Sequence, residues 1–404
     1  MSEQNNQNQY STRWILLLAL LTSLGPLSID MYLPALPQMA NDFNVTTQQI
    51  SNTLPAYFLG LALGQLFYGP LSDRIGRKKP LYFGLILYAA ASLLCVFAPD
   101  QWSLIFARVL QAIGGCVGVV IARAAIRDRL DLQGSAQAFA TMMIVMGVAP
   151  ISAPIIGALI LKFFQWEAVF VALTMTGALF LLFVHFFFKE TLPVERRLKL
   201  SFKQVLLMYG TILQDSSFRR PMLAACLTGG ALFCYINSAS AVFMDEYHLN
   251  QQIFAYAFGL NALGIMLVSS LNKKLAGRLS VVARLKLGGY IQCAGATVLI
   301  CAGFIETAPL WLVMFGLFFA VSGIGFTGPN ATALAMSKQG ARAGTASAIL
   351  GSAQFASGLV GGILLNFLLW DALFNMAILM LIFTALGLKL ILDIAKRHST
   401  SIAS

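Results

Sequence analysis

Charge is what this sequence has least of. Only 11% of its 404 residues are Asp, Glu, Lys or Arg, and just 16 are acidic. Soluble domains carry about 25% charge. With 58% hydrophobic residues, the chain cannot be intrinsically disordered, a state that needs low hydrophobicity and high net charge. Cysteine is scarce too: six residues, Cys95, Cys116, Cys226, Cys234, Cys293 and Cys301, are too few for a secreted disulfide scaffold. They show no metal-ligand spacing, and His185, His248 and His398 are scattered, so no metal or other cofactor is expected. No phosphate loop of the GxxxxGKS/T type is present, which argues against ATP as the drive. The net charge of +11 is spread between apolar runs rather than gathered on one face, so nucleic acid is not the expected partner.

What the chain does have is long apolar runs and a mean hydropathy of +0.77. Crossing about 30 Å of hydrocarbon takes roughly 20 apolar residues. Twelve stretches qualify, at 14–36, 50–71, 80–97, 102–123, 138–161, 166–188, 222–244, 252–271, 283–304, 309–334, 344–368 and 372–394. Backbone polar groups cannot go unpaired in lipid, so these are helices and the class is an all-α polytopic membrane protein. The first run follows a polar stretch, Met1 to Ser11, and is long enough to span, so no cleavable signal is expected.

The loops give the orientation. With a cytoplasmic N-terminus, all but two of the 27 Lys and Arg residues lie at cytoplasmic ends or loops; the exceptions are Arg108 and Lys162. This is the positive-inside pattern, and it puts both termini in the cytoplasm. Three parts are expected: a six-helix bundle over 1–188, a cytoplasmic linker over 189–221, and a second six-helix bundle over 222–404. In the linker Phe202, Val205, Leu206, Tyr209 and Leu213 repeat at helical spacing, which predicts an amphipathic helix on the inner membrane surface or packed on protein. A weak internal repeat supports the six-plus-six division: Asp73, Gly76 and Arg77 after span 2 share their spacing with Lys274, Gly277 and Arg278 after span 8.

Asp30 is the only acid deep in a span. A carboxylate there is expensive, so a functional role is the default reading. Arg108 in span 4 lies at the same depth, each about 9 Å below the outer boundary at about 1.5 Å per residue. Burial disfavours a carboxylate and a nearby guanidinium favours it. A small change in their separation would then load or release a proton, which marks Asp30 and Arg108 as candidates for proton coupling.

Three motifs carry a family resemblance. The loop Gly69-Pro70-Leu71-Ser72-Asp73-Arg74-Ile75-Gly76-Arg77-Lys78-Lys79 resembles the signature GxLaDrxGrk loop of the major facilitator superfamily at every main position. Span 4 contains Arg108-Val109-Leu110-Gln111-Ala112-Ile113-Gly114-Gly115, similar to the family's RxxQGxG motif with Ala112 in place of a glycine. Span 5 contains Pro150, Ala153, Pro154 and Gly157 in a segment similar to the antiporter motif GxxxGPxxGG, with alanine at three glycine positions. The ends of spans 1 and 4, Asp30-Met31-Tyr32-Leu33-Pro34 and Ala122-Arg123-Ala124-Ala125-Ile126-Arg127-Asp128, resemble the Bcr/CflA group of drug/proton antiporters.

The resemblance spans essentially the whole chain. It implies the major facilitator fold, two six-helix bundles that alternate access, in the bacterial inner membrane. It implies a latch in which Asp73 approaches the start of span 11 near Gly344 to Ser347 and Arg77 meets Asp128, with Gly69, Arg74 and Gly76 shaping the loop. It also implies multidrug efflux and antibiotic resistance driven by protons, by a monomer without enzymatic activity. Thr22 stands where some related exporters carry a second acid, so small neutral to weakly charged drugs fit better than large cations. A proton-coupled transporter of a metabolite such as a sugar or osmolyte is the alternative; the span 5 motif argues against import. For substrate contacts, Tyr32, Asn237, Asn261 and Gln354 are the polar candidates, and Phe233, Tyr235, Phe258 and Met146 the apolar lining. Asn330 and Gln292 are expected to be packing groups, and Ala56, Gly60 and Gly64 a close-contact stripe on span 2.

Overall fold

A computed structural model of the chain describes residues 12–130, 132–197 and 202–403, and among these every regular element is helical. The polar start of the chain and residues 198–201 of the linker lie outside them. Span 1 is broken. It runs through α1 (Thr12–Thr22) and α2 (Leu24–Asp30), a 3-10 turn at Leu33–Ala35, and α3 (Leu36–Asp42). Pro34 and Pro37 open the last two pieces, where a missing N–H costs little. Thr22 and Ser23 donate their hydroxyls back to the Ala19 and Leu20 carbonyls, which loosens the junction of α1 and α2. A short α4 (Thr47–Ile50), closed by a Thr46–Gln49 capping box, leads into α5 (Thr53–Ile75).

The remaining spans are α6 (Lys78–Val96), α7 (Gln101–Arg129), α8 (Leu132–Leu161) and α9 (Glu167–Phe187), then, beyond the linker helix α10 (Phe202–Gln214), α11 (Ser216–Ser240), α12 (Gln251–Leu275) and α13 (Val281–Gly303). α14 (Leu310–Ser322) and α15 (Ile324–Met336) make one span interrupted at Gly323, and α16 (Ala343–Leu365) and α17 (Ala372–Ala403) complete the chain. Among the described residues, eleven segments are long and apolar enough to cross a membrane. The 23-residue α5 is long enough but less apolar. Tyr57, Gln65 and Tyr68 dilute it, and all three are buried. Most of this helix faces protein, so it need not be as oily as its neighbours.

The spans pack in two groups. α5 and α6 pack on α7, and α6 on α9; α11 and α13 pack on α17, and α13 on α14. Gly60 lies against the Val109 carbonyl and Ala112, and Gly64 against Cys116, so the small-residue stripe on span 2 is the seam with α7. Two seams join the groups: α5 against α16, and α8 against α12. Along the first, Gly351, Gly358 and Gly362 let Gln65, Phe58 and Pro55 approach α16 closely. Phe58, Phe233 and Phe355 form a cluster there, with centroids 4.6 to 6.3 Å apart. At one end of the seam, Ser240 donates to the Leu33 carbonyl at 2.8 Å and Asn366 to Asn52 at 2.7 Å.

The linker helix forms as its spacing predicts, but its packed face is rotated. Val205 and Ile212 are buried, and the Tyr209 hydroxyl donates to the Leu66 carbonyl at 2.8 Å. Leu206, Leu207 and Leu213 are exposed. One stripe therefore docks on the protein and a second apolar stripe faces outward. Asn330 and Gln292 act as packing groups: Asn330 donates to Asn272 and Phe326, and Gln292 bonds to Thr228, Ala320 and Thr327.

Candidate transport site

Asp30 ends α2, next to the break in span 1. Its side chain is 97% buried (3% exposed) and its Oδ1 has no hydrogen-bond partner. Arg108 is fully buried and donates to the Ser28 carbonyl at 2.9 Å, two residues before Asp30, so the two charges do share a depth. No ion pair joins them. The guanidinium instead donates to Gln111 Oε1 at 2.5 Å and lies over the rings of Tyr32 and Tyr57, 4.3 and 4.2 Å from their centroids. Cation–π contact with two rings and two oxygen acceptors holds the arginine inside its own helix group. Gln111 in turn donates to Ser92, and Ser28 bonds to Tyr88 at 2.7 Å. Tyr57 and Tyr88 were not among the sequence candidates; the available signal was tyrosine where lipid-facing spans favour phenylalanine.

On the opposite group, the Tyr235 hydroxyl accepts from Asn261 at 3.0 Å, its ring stacks on Phe258 at 5.3 Å, and it lies within the electrostatic reach of Asp30. Oδ1 of Asn261, Oδ1 of Asn237 and Oγ of Ser238 are buried without partners. The structure thus brings Asp30, Tyr235, Phe258 and Asn261 to one neighbourhood. Asn237 faces α16, where it donates to the Gly358 carbonyl at 3.4 Å, and Phe233 belongs to the aromatic cluster. Tyr32 is taken up by Thr53, at 2.8 Å, and by Arg108. Met146 and Gln354 are only partly buried.

Pro150 and Pro154 lie inside α8, and Ala153 is buried between them in sequence. Gly157 is the tightest point: a Cβ there would overlap the Met31 carbonyl oxygen. Span 5 therefore presses on the chain immediately after Asp30, and only glycine permits that approach.

At the far end of the first helix group from Asp30, Arg77 is a hub. It donates to Asp128 from Nε at 2.9 Å and from Nη2 at 3.2 Å, and from Nη1 to Asp73 at 2.6 Å and Ser72 at 2.7 Å. Gly76 supplies φ +94°, a left-handed turn that starts α6. Glu190, which sequence reasoning missed, returns from the end of span 6 to accept from the backbone N–H of Arg77, Lys78, Thr191 and Leu192. Burial alone would push its carboxyl up; these four donors outweigh that and hold it below the usual range. Its only sequence signal was an acid near the start of a basic linker. Arg74 is exposed and takes no part. Asp73, Gly69, Gly344, Thr345 and Ser347 line one cleft of about 50 Å³, so the acid and the start of α16 do face a common space.

A fold of paired transmembrane helices around a buried unpaired acid defines a membrane transporter rather than an enzyme. The profile of the Major Facilitator Superfamily matches residues 18–362, and the chain belongs to that family. It is 35% identical over 337 residues to an uncharacterised MFS-type transporter of Bacillus subtilis, YdgK, covering 83% of this chain and 84% of the relative. It is 30% identical over 357 residues to the bicyclomycin resistance protein homolog of Haemophilus influenzae, covering 88% and 89%. Among solved structures it resembles the peptide transporter POT in complex with sulfate, with a TM-score of 0.76, 13% identity and 96% of each chain covered. That likeness speaks to the fold alone.

Proposed function

We propose that this transporter is a proton-coupled exporter of small, neutral to weakly charged drugs, with Asp30 as the proton carrier. The observation that carries the reading is the partnerless buried carboxyl of Asp30 beside the break in span 1. A bare carboxylate in such a place is costly by several kcal/mol. It therefore needs a proton, or a ligand that replaces one. Arg108, held by Ser28, Gln111 and two tyrosines, keeps its side of the site rigid rather than neutralising the acid. The seam between Gly157 and Met31 ties any rocking of α8 directly to the segment bearing Asp30. The likeness to the bicyclomycin resistance protein homolog of Haemophilus influenzae supports drug as the substrate class. In this reading both termini are cytoplasmic and the two helix groups exchange access as a monomer.

Everted membrane vesicles with an acidic lumen, followed by a pH-sensitive dye, test the reading. Adding chloramphenicol-like drugs should release protons from vesicles carrying the intact protein. The Asp30→Asn variant, at equal abundance, should give no release. Full exchange by that variant would remove Asp30 from the role.

A further inference from the structure

The cleft between α7 and α16 is lined by three arginines, Arg77, Arg123 and Arg127, and one acid, Asp73. Gln65 and Thr345 lie beside them in the lining. Arg77 is saturated by Asp73, Asp128 and Ser72. Arg123 and Arg127, four residues apart and so on one face of α7, make no hydrogen bond or ion pair among the described residues; Arg123 lies in the field of Arg127, while the exposed Arg127 lies in the opposing fields of Asp73 and Asp128 as well as that of Arg77. The single acid of the lining, Asp73, is already shared with Arg77. The Arg127 guanidinium nitrogens also sit 3.6 and 3.7 Å from where a Cβ would stand on Gly344, the second residue of α16. That is the positive end of a helix, a poor place for a cation. The lining thus sets three arginines against one acid around a cleft of about 50 Å³, with Arg123 beside a second cation and bonded to no acid. At about 10–15 Å³ per water, the space suits a group of four or five heavy atoms.

We infer that this cleft is a binding site for a phosphate-class anion, held by Arg123 and Arg127 from one helix group and by the start of α16 from the other. Such an anion bridges the two groups at their cytoplasmic ends and favours the state in which that side is closed. Its source is either free inorganic phosphate or the headgroup phosphate of an anionic lipid. The linker helix α10, with its outward apolar stripe and its Met208 sulfur 3.2 Å from Thr345, borders the same place. The inference goes beyond drug transport and does not depend on it.

The test uses the full chain purified in an uncharged detergent. One arm titrates inorganic phosphate; the other adds phosphatidylglycerol, with phosphatidylcholine as its neutral match. Thermal unfolding and the number of lipids retained in native mass spectrometry are the readouts. The expected result is a rise in the unfolding midpoint with one of the two sources, half-saturating at about tenfold higher concentration in Arg127→Gln and undetectable in the Arg123→Gln/Arg127→Gln double variant. Lys338→Gln, an exposed cytoplasmic control, should behave as the parent. A response to phosphate identifies a free anion, and a response to phosphatidylglycerol alone identifies the lipid. No response from either source, or one that the double variant retains in full, overturns the site. Neither readout requires transport, so the inference and the drug-export reading fail separately.

Discussion

The two helix groups carry the same three-residue spacing after their second span, yet it builds different things. In the first group Asp73, Gly76 and Arg77 become a knot: a left-handed glycine, an arginine with four bonds to acids and a hydroxyl, and Glu190 gathering four backbone N–H groups. In the second, nothing lies within 4 Å of where a Cβ would stand on Gly277, and no positive φ occurs there. The buried cation of that group is Arg284, which bonds the carbonyl and the side chain of Asn272 at 3.2 and 2.8 Å. Asn272 in turn donates to the Gly325 carbonyl. Spacing therefore places a turn, while the acids supplied from elsewhere in the chain decide whether the turn is a latch. Asp128 and Glu190 supply them to the first group; the second has amides in their place.

This contrast can be broken most severely at Arg77. Arg77→Met leaves Asp73 and Asp128 facing each other without their cation and should cost about 3–5 kcal/mol, read as a fall in the unfolding midpoint and in membrane abundance. Arg278→Met should stay within about 0.5 kcal/mol. Next in size, Gly76→Ala forces an L-residue to φ +94° and sets its Cβ 2.5 Å from the Glu190 carboxylate. A loss of about 1–3 kcal/mol is expected. Gly277→Ala, in open space, should be neutral or stabilise by about 0.4–1 kcal/mol through the unfolded chain. The paired measurement of both glycines is the sharpest single comparison of the two turns.

A smaller effect should appear as a pH dependence. Glu190 is held below its unfolded pKa, so its contribution is fully present above the unfolded value, about 4.3, and is lost as pH falls through the folded one. The midpoint difference between the parent and Glu190→Gln should be largest near pH 7 and shrink below about pH 4.3. Smallest of all, Arg284→Met should cost under about 1 kcal/mol or stabilise, because it removes a buried cation whose partners are neutral.

Sequence made much of this visible, and the limits have physical causes. Gly76, Arg77 and Asp128 were legible because the loop and the end of span 4 resemble a family in which the loop arginine meets an acid there. Glu190 was not, because it acts through a chain return 113 residues from Arg77 that no local pattern encodes. The common depth of Asp30 and Arg108 followed from helical rise. Their lack of pairing did not, since it depends on where Tyr32, Tyr57 and Ser28 turn the guanidinium. Span 1 reads as one helix over 14–36, and its broken course was missed, although Pro34 and Pro37 open its last two pieces. The contact of Gly157 with Met31 was not legible either, because it joins two spans that are distant in sequence.

The measurement closest to the central claim is proton release on drug binding by the purified transporter in weakly buffered detergent at neutral pH. If Asp30 gives up its proton when drug arrives, adding drug to the intact protein acidifies the solution by a fixed fraction of a proton per chain. Asp30→Asn should bind drug and release none. Equal release from both proteins would contradict the account and move the coupling group away from Asp30.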